Sequence, residues 1–341
     1  MTKTKGIEQK YQKLTDIEHV LLRPFMYIGS ISPHTGDHYL YDGEKVWNES
    51  ITYNPGFIKL FDEIISNSVD EHRRGSKLNE IRVTVDLDNS RISVWDNGGI
   101  PVKKHPVHKE WIPEMIFSNL KAGSNFDDSE QRTVAGTNGV GASLTNIFSQ
   151  SFKLSTCDGT NQFEQEFTNN MQKRTAAKIS PAKRGFTEIA YVPDLERFKM
   201  SGIDQKSFQI IFKRCLDVAA CNNKLTLKFT KIESGQKTNW TLKFKSFDEY
   251  IKLYTDQFFY EESKDWKIGF AKAESGFSNI SFVNSVHTKD GGTHVEYVLN
   301  QLISQLREMI KKKHRVDVKP SDIRNYISIF IDCSVVNSSF S

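Results

Sequence analysis

The chain has 341 residues, and at roughly 150 per domain that length suggests about two domains. Hydrophobic residues make up 38% and charged residues 26%, which excludes a disordered or collagen-like chain. Net charge is +4, from 46 basic and 42 acidic residues, so a polyanionic partner is permitted but not argued for. No window approaches the roughly 20 apolar residues that cross a bilayer, which gives no reason to expect membrane association. The polar, mixed-charge start lacks the apolar stretch of a secretory signal. Cys157, Cys215, Cys221 and Cys333 are spaced unlike a metal knuckle and read as free thiols in a reducing, intracellular compartment.

In chain order, residues 56–74 carry the first helical pattern. Phe57, Phe61, Ile64, Ile65 and Val69 fall in one apolar arc, with Glu63, Asn67, Asp70 and Glu71 on the other side. A hairpin follows: Ile81, Val83, Val85 and Leu87 alternate, 88–90 turn, and 91–95 return. A helix is expected from about Pro113 to Ala122, then a long polar loop over 123–141 of the kind that often serves as a lid. Strands are expected at 152–157, 163–167 and 187–192, and a domain boundary between Pro193 and Gly202. Beyond it come a helix at 204–220, strands at 225–230, 240–244, 266–272 and 279–285, a helix at 293–313, and a strand at 327–332. The last helix has an apolar stripe of Val295, Val298, Leu299, Leu302, Ile303, Leu306, Met309 and Ile310. Strands and helices mix without strict alternation, so the fold class is α+β.

Three constellations carry chemistry. Glu63 and Asn67 are four apart on a helix, hence adjacent, and a carboxylate beside a carboxamide can activate water and ligate a hard cation. A solvated helix face is the plain alternative. Asp96 and Asn97 end a strand before Gly98 and Gly99, an arrangement that can read a purine amino group, or simply turn the chain. Gly136, Gly139 and Gly141 precede an apolar helix start, where freed backbone N–H groups make a phosphate cradle. No Gly-Lys-Ser/Thr follows, so this is not a Walker motif.

The order of the three resembles the GHKL ATP-binding fold. Residues 11–30, 61–74, 112–128 and 138–149 resemble the ATPase region of type IIA DNA topoisomerases, and 280–298 the transducer domain that follows it. The wording is nearer to eukaryotic and phage-encoded large subunits than to bacterial gyrase. This resemblance implies an N-terminal arm over 1–30, a GHKL α/β sandwich over 31–200 and a smaller α/β transducer over 201–341.

It also implies roles. Glu63 would be the general base and Asn67 the Mg²⁺ ligand. Asp96 and Asn97 would sit at the adenine with Gly98 and Gly99, leaving open which of the two meets the base. Ser124 and Asn125 would lie near the ribose, and Gly136, Thr137, Asn138, Gly139, Val140, Gly141, Ala142 and Ser143 would wrap the phosphates. Tyr11 would reach the nucleotide of a partner subunit in an ATP-dependent homodimer. Two departures stand out: Gly98 and Gly99 are adjacent, and Ser143 stands where eukaryotic relatives carry Lys.

Lys311, Lys312 and Lys313 close the long helix, where cations suit the helix dipole without any ligand. The resemblance implies instead that they face double-stranded DNA, as phosphate contacts. It further implies an ATPase gate that acts with domains carrying the cleavage tyrosine. The chain is expected to stop before the family's Gln-Thr-Lys loop and so to turn over slowly; unimpaired turnover would instead point to Lys289 or Arg132 as a substitute cation. A GHKL chaperone-like clamp that does not act on DNA is the rival reading.

Overall fold

The computed structural model describes residues 11, 13–122, 133–134, 139–274 and 276–338. After two short helices, α1 (Asp16–Leu22) and α2 (Phe25–Ile28), comes a hairpin, β1 (His34–Tyr41) and β2 (Val46–Tyr53). Helix α3 (Pro55–Arg73) leads to β3 (Glu80–Asp86), β4 (Arg91–Asp96), α4 (Ile112–Ser118) and α5 (Gly141–Ile147). Then follow β5 (Ser149–Cys157), β6 (Asn161–Thr168), β7 (Lys173–Arg174), β8 (Lys178–Pro181), β9 (Phe186–Pro193), α6 (Gln205–Cys221), β10 (Thr226–Glu233) and β11 (Gln236–Leu242). The last part holds α7 (Phe247–Ile251), β12 (Phe258–Glu262), β13 (Trp266–Lys272), β14 (Ser278–Val283), β15 (Val286–His287), α8 (Thr293–His314), α9 (Pro320–Arg324) and β16 (Ile327–Cys333).

Three sheets organise these strands. The hairpin β1–β2 stands alone, and a nine-stranded sheet runs β11-β10-β3-β4-β9-β5-β6-β7, with β8 also on β6. The third is five-stranded, β12-β13-β16-β14-β15. Each larger sheet has one parallel pairing, β10 with β3 and β14 with β16, among antiparallel ones. This is the mixed α+β class that the strand and helix pattern predicts.

The apolar arc of α3 is buried as expected, with Phe57, Phe61, Ile64, Ile65 and Val69 all in the core. Asn54 caps the helix by accepting from the Phe57 N–H (3.1 Å), and Pro55 occupies the first turn. Helix α6 is different in kind. Every residue from Ser207 to Cys221 is buried, because the helix lies beneath the β1–β2 hairpin and against the large sheet.

Several details differ from the sequence reading. The large sheet continues through β10 and β11 to Leu242, so a division at 200/201 falls inside it. The domain boundary expected between Pro193 and Gly202 falls in the loop that joins β9 to α6. Helix α4 ends at Ser118 and not near Ala122, because Asn119 turns extended. Met309 is exposed, and only Val295, Leu299 and Ile303 of the α8 stripe are fully buried, since the helix outruns the sheet it covers. The β1–β2 hairpin is absent from the sequence reading; its outer residues are mostly exposed and alternate weakly. All four cysteines are unpaired and buried.

Phe212 on α6 locks these layers together. Its ring stacks on Phe229 (4.3 Å between centroids) and packs against Tyr41 and Trp240 (4.8 and 4.7 Å). Phe212→Ala is expected to cost about 3–5 kcal/mol of unfolding free energy, read by denaturant titration. A loss under about 1 kcal/mol would mean that this aromatic cluster does not hold β10–β11 and the hairpin to the core.

Candidate nucleotide site

The polar side of α3 is one wall of a cavity of about 1510 Å³. Glu63, Asn67, Asp70, Glu71 and Arg74 recur three or four residues apart along the helix, so they share that face. The opposite wall is the start of α5, with Gly139, Val140, Gly141 and Ala142. Asp96 at the end of β4, Gly99, and Ile112 and Ile116 from α4 also line it.

Glu63 is held by Lys59 one turn earlier, Nζ to Oε1 at 2.6 Å. Burial depresses the Lys59 ammonium, but the Glu63 charge and hydrogen bond together with the Asp62 charge outweigh it and hold the ammonium above its ordinary range. A Cβ on Gly141 would collide with the Glu63 carboxylate, so glycine there is what lets α5 begin against that side chain. Asn67 is exposed to the cavity one turn beyond Glu63.

Asp96 is 6% exposed. Ser68 donates its hydroxyl to Oδ2 (2.7 Å), and the Gly98 N–H donates to Oδ1 (2.9 Å). Burial raises its pKa to about 6, with these two hydrogen bonds opposing the rise and the Glu71 charge adding to it. Asn97 turns the other way. Its Oδ1 accepts from the N–H groups of Asn79 and Glu80 (2.9 and 3.0 Å), and its Nδ2 donates to the Asn79 side chain (2.9 Å). The side chain of Asn97 is therefore spent on pinning β3 to β4, and Asp96 is the one that faces the cavity. Of the two residues between which the sequence leaves the choice open, Asp96 lines the cavity and Asn97 does not.

The two glycines divide the work similarly. Gly99 lines the cavity at φ 154°, and a Cβ there would strike the Cys157 carbonyl. Gly98 lies behind it, tucked against Asp96 and Leu78. Ser143 does not present its hydroxyl to the cavity: Oγ donates to the carbonyls of Asn119 (2.8 Å) and Ile116 (3.2 Å), tying α5 to the end of α4. Ser124, Asn125, Gly136, Thr137, Asn138 and Arg132 lie outside the described residues. Tyr11 is exposed. Lys311, Lys312 and Lys313 sit exposed in the last turn of α8, which Arg315 closes in a left-handed cap, and they are apart from the cavity.

Other residues at the cavity lie outside the sequence reading. Arg214, Lys213 and Asp217 reach it from α6, and Lys289 and His38 face one another there at 3.3 Å. Of these, only Lys289 has a place in the sequence reading, as a substitute cation. The Lys59–Glu63 pair was readable from its i,i+4 spacing alone. The reach of Arg214 was not, because nothing in a buried helix pattern says which cation turns toward a site.

As for a cation, a lone carboxamide oxygen among carboxylates suits a hard ion that keeps water and phosphate as its other ligands. Among the described residues, no group of three His, Cys, Asp or Glu forms a metal cluster.

Comparisons with known proteins agree with this geometry. The family model "Histidine kinase-, DNA gyrase B-, and HSP90-like ATPase" matches residues 53–183, and "DNA gyrase B" matches 226–341. DNA topoisomerase 2 of Pisum sativum is 36% identical over 99% of this chain, and DNA topoisomerase 2-beta of Mus musculus 38% over 99%. The chain spans 24% and 22% of those two proteins, about a quarter of their length. The ATPase region of Saccharomyces cerevisiae topoisomerase II superposes with a TM-score of 0.89 at 34% identity, covering 98% of this chain and 89% of that one. The ATPase and transducer domains of DNA topoisomerase II from Balamuthia mandrillaris give 0.88 at 36%, covering 99% and 88%. The 43K ATPase domain of Thermus thermophilus gyrase B shares the fold at 21% identity and a TM-score of 0.65. With the ATPase fold and its transducer both matched along nearly the whole chain, the protein belongs to the family of topoisomerase II ATPase regions.

Proposed function

We propose that this chain is the ATP-driven gate of a type II DNA topoisomerase, hydrolysing Mg-ATP at the α3 cavity. One observation supports this most: Glu63, Asn67, Asp96 and the Gly139–Ala142 stretch, distant in sequence, line a single cavity. Asp96 accepts from the adenine amino group, and Gly99 lets backbone approach the ring. The Gly139–Ala142 backbone meets the phosphates as α5 starts. Glu63 releases Lys59, takes the proton of the attacking water on a carboxylate oxygen, and lets water add at the γ-phosphorus as ADP leaves. Asn67 would ligate Mg²⁺, which neutralises charge on the phosphates when bound. We further propose that two copies close on one another through the arm bearing Tyr11. Lys311, Lys312 and Lys313 would contact phosphates of a double-stranded DNA held between them, and other domains of the enzyme would supply the cleavage tyrosine. The HSP90-like alternative shares the site but predicts no DNA contact.

Glu63→Ala is expected to lower turnover by about 100-fold or more while nucleotide affinity changes little, because the base acts on water and not on the ground-state complex. Equal turnover in a steady-state ATPase assay would remove Glu63 from the reaction.

The raised pKa of Asp96 gives a pH dependence with a definite sign. The folded group holds its proton up to about 6 against an ordinary value of 3.8, so the stability of the nucleotide-free chain falls as pH rises through that window. Nucleotide binding has the opposite slope, since the adenine amino group needs the ionised carboxylate. Affinity measured by calorimetry is expected to drop about tenfold from pH 7 to pH 5, and to lose this dependence in Asp96→Asn. A flat profile in the unmodified chain would take Asp96 away from the base.

Replacing Lys311, Lys312 and Lys313 by Ala is expected to flatten the salt dependence of duplex binding by up to about 2.7 in log–log slope, with ATPase unchanged. An unaltered slope would return the run to its role as a helix end.

A further inference from the structure

Two arginines with no role in the proposed chemistry converge on one turn of the second large sheet. Asn284 and Ser285 join β14 to β15 with φ of 51° and 66°, and both are 1% exposed. Left-handed backbone at consecutive non-glycine residues persists where surrounding contacts over-determine it. Here Val335 and Ser338 hold Asn284 from its own side, and further contacts come from the first sheet system. Arg73, the last residue of α3, donates from Nη1 to Ser285 Oγ (3.3 Å), and from Nη2 to Asn284 Oδ1 (3.3 Å) and Ser334 Oγ (2.9 Å). Asn222 Nδ2 at the end of α6 donates to Ser285 Oγ (3.0 Å).

Arg214 does more than hold the turn. It is 8% exposed on α6, and its Nη1 donates to the Ser285 carbonyl (2.8 Å) while its Nε donates to Asp62 Oδ1 (2.8 Å). Asp62 immediately precedes Glu63 on α3, and Asp62, Glu63 and Arg214 all line the nucleotide cavity. One rigid guanidinium fork thus touches the base-bearing turn on one side and the second sheet on the other. A lysine could not span both acceptors with fixed geometry.

We propose that Arg214 is a positioning residue for hydrolysis: it fixes the Asp62–Glu63 turn of α3 against the Ser285 carbonyl, so displacement of the second sheet moves the base. The inference rests on Glu63 acting as the base, and the tests separate the two. Arg214→Gln and Asp62→Asn are each expected to lower kcat about tenfold with KM within about twofold, and the double variant is no worse than the worse single. Arg214→Lys, which keeps the charge on Asp62, recovers part of the loss. Additive losses, or a rise in KM with kcat intact, overturn the proposal. Hydrogen exchange gives a readout independent of turnover. Arg214→Gln should speed amide exchange in peptides covering 59–66 and 281–288 together, by about tenfold, at an unchanged global melting midpoint. Faster exchange in only one of the two, or in neither, overturns the coupling. If Glu63→Ala turns over normally, the base assignment fails and the exchange experiment alone decides Arg214. If Glu63→Ala is inactive and Arg214→Gln is normal in kcat and exchange, the base stands and the positioning role falls. Should Arg214→Gln fail to fold, Asp62→Asn carries both readouts, because it breaks the same contact from the exposed side.

Discussion

The rotational setting of α3 governs the site. Its apolar arc must face the core, and a 100° step per residue then places Glu63, Asn67 and Asp70 on the cavity side. What sets the start of that rotation is Asn54, buried at the N-cap. Its Oδ1 accepts from the Phe57 N–H, and its Nδ2 donates to the carbonyls of Ile31 (2.6 Å) and Phe198 (3.0 Å). Gly56 completes the clamp. Its N–H donates to the Ser30 carbonyl (2.8 Å), so closely that a Cβ would collide with the same oxygen. A slip of one residue would turn Glu63 by about a quarter of the helix circumference and bury a carboxylate.

Burial sets the electrostatics of the cavity. Asp96 is desolvated and only partly compensated by Ser68 and Gly98, so its ionised form is costly until a donor arrives. Glu63 is meanwhile paired with Lys59. Burying ion pairs contributes little to net stability, and the structure uses them to define geometry instead. On α6, Lys213 donates to Asp217 (2.5 Å) and Tyr250 (3.0 Å), Tyr250 donates to Asp217 (2.6 Å), and burial depresses the Lys213 ammonium. Each polar atom in that chain has a partner across a boundary between helices.

The two large sheets are joined through packing as well as through the chain. Ile280, Phe282 and Phe330 of the five-stranded sheet belong to the same apolar core as α3 and α6, with Phe247 and Tyr250 of α7 wedged between them. A second, smaller core lies under α8. Helix α3 and the sheet that carries the buried turn at Asn284 and Ser285 therefore share one close-packed core.

Much of this was legible in the residue pattern. The arc of α3, the alternation of β3 and β4, and the Glu63–Asn67 spacing follow from periodicities of 3.6 and 2, which are local properties of the backbone. The glycines beside Asp96 and at the start of α5 likewise announce close approach, although not what approaches. The tertiary structure alone decided the rest. Asp96 faces the cavity and Asn97 does not, because Asn97 makes three hydrogen bonds to Asn79 and Glu80 where β3 begins, 18 and 17 residues away. Ser143 turns to α4, β10 joins β3 across more than a hundred residues, and Arg214 bridges Asp62 to Ser285. A sequence states which side chains can donate, accept or carry charge, and its period states which share a face. Which partner each one meets depends on contacts between distant segments, and those exist only once the sheets have assembled.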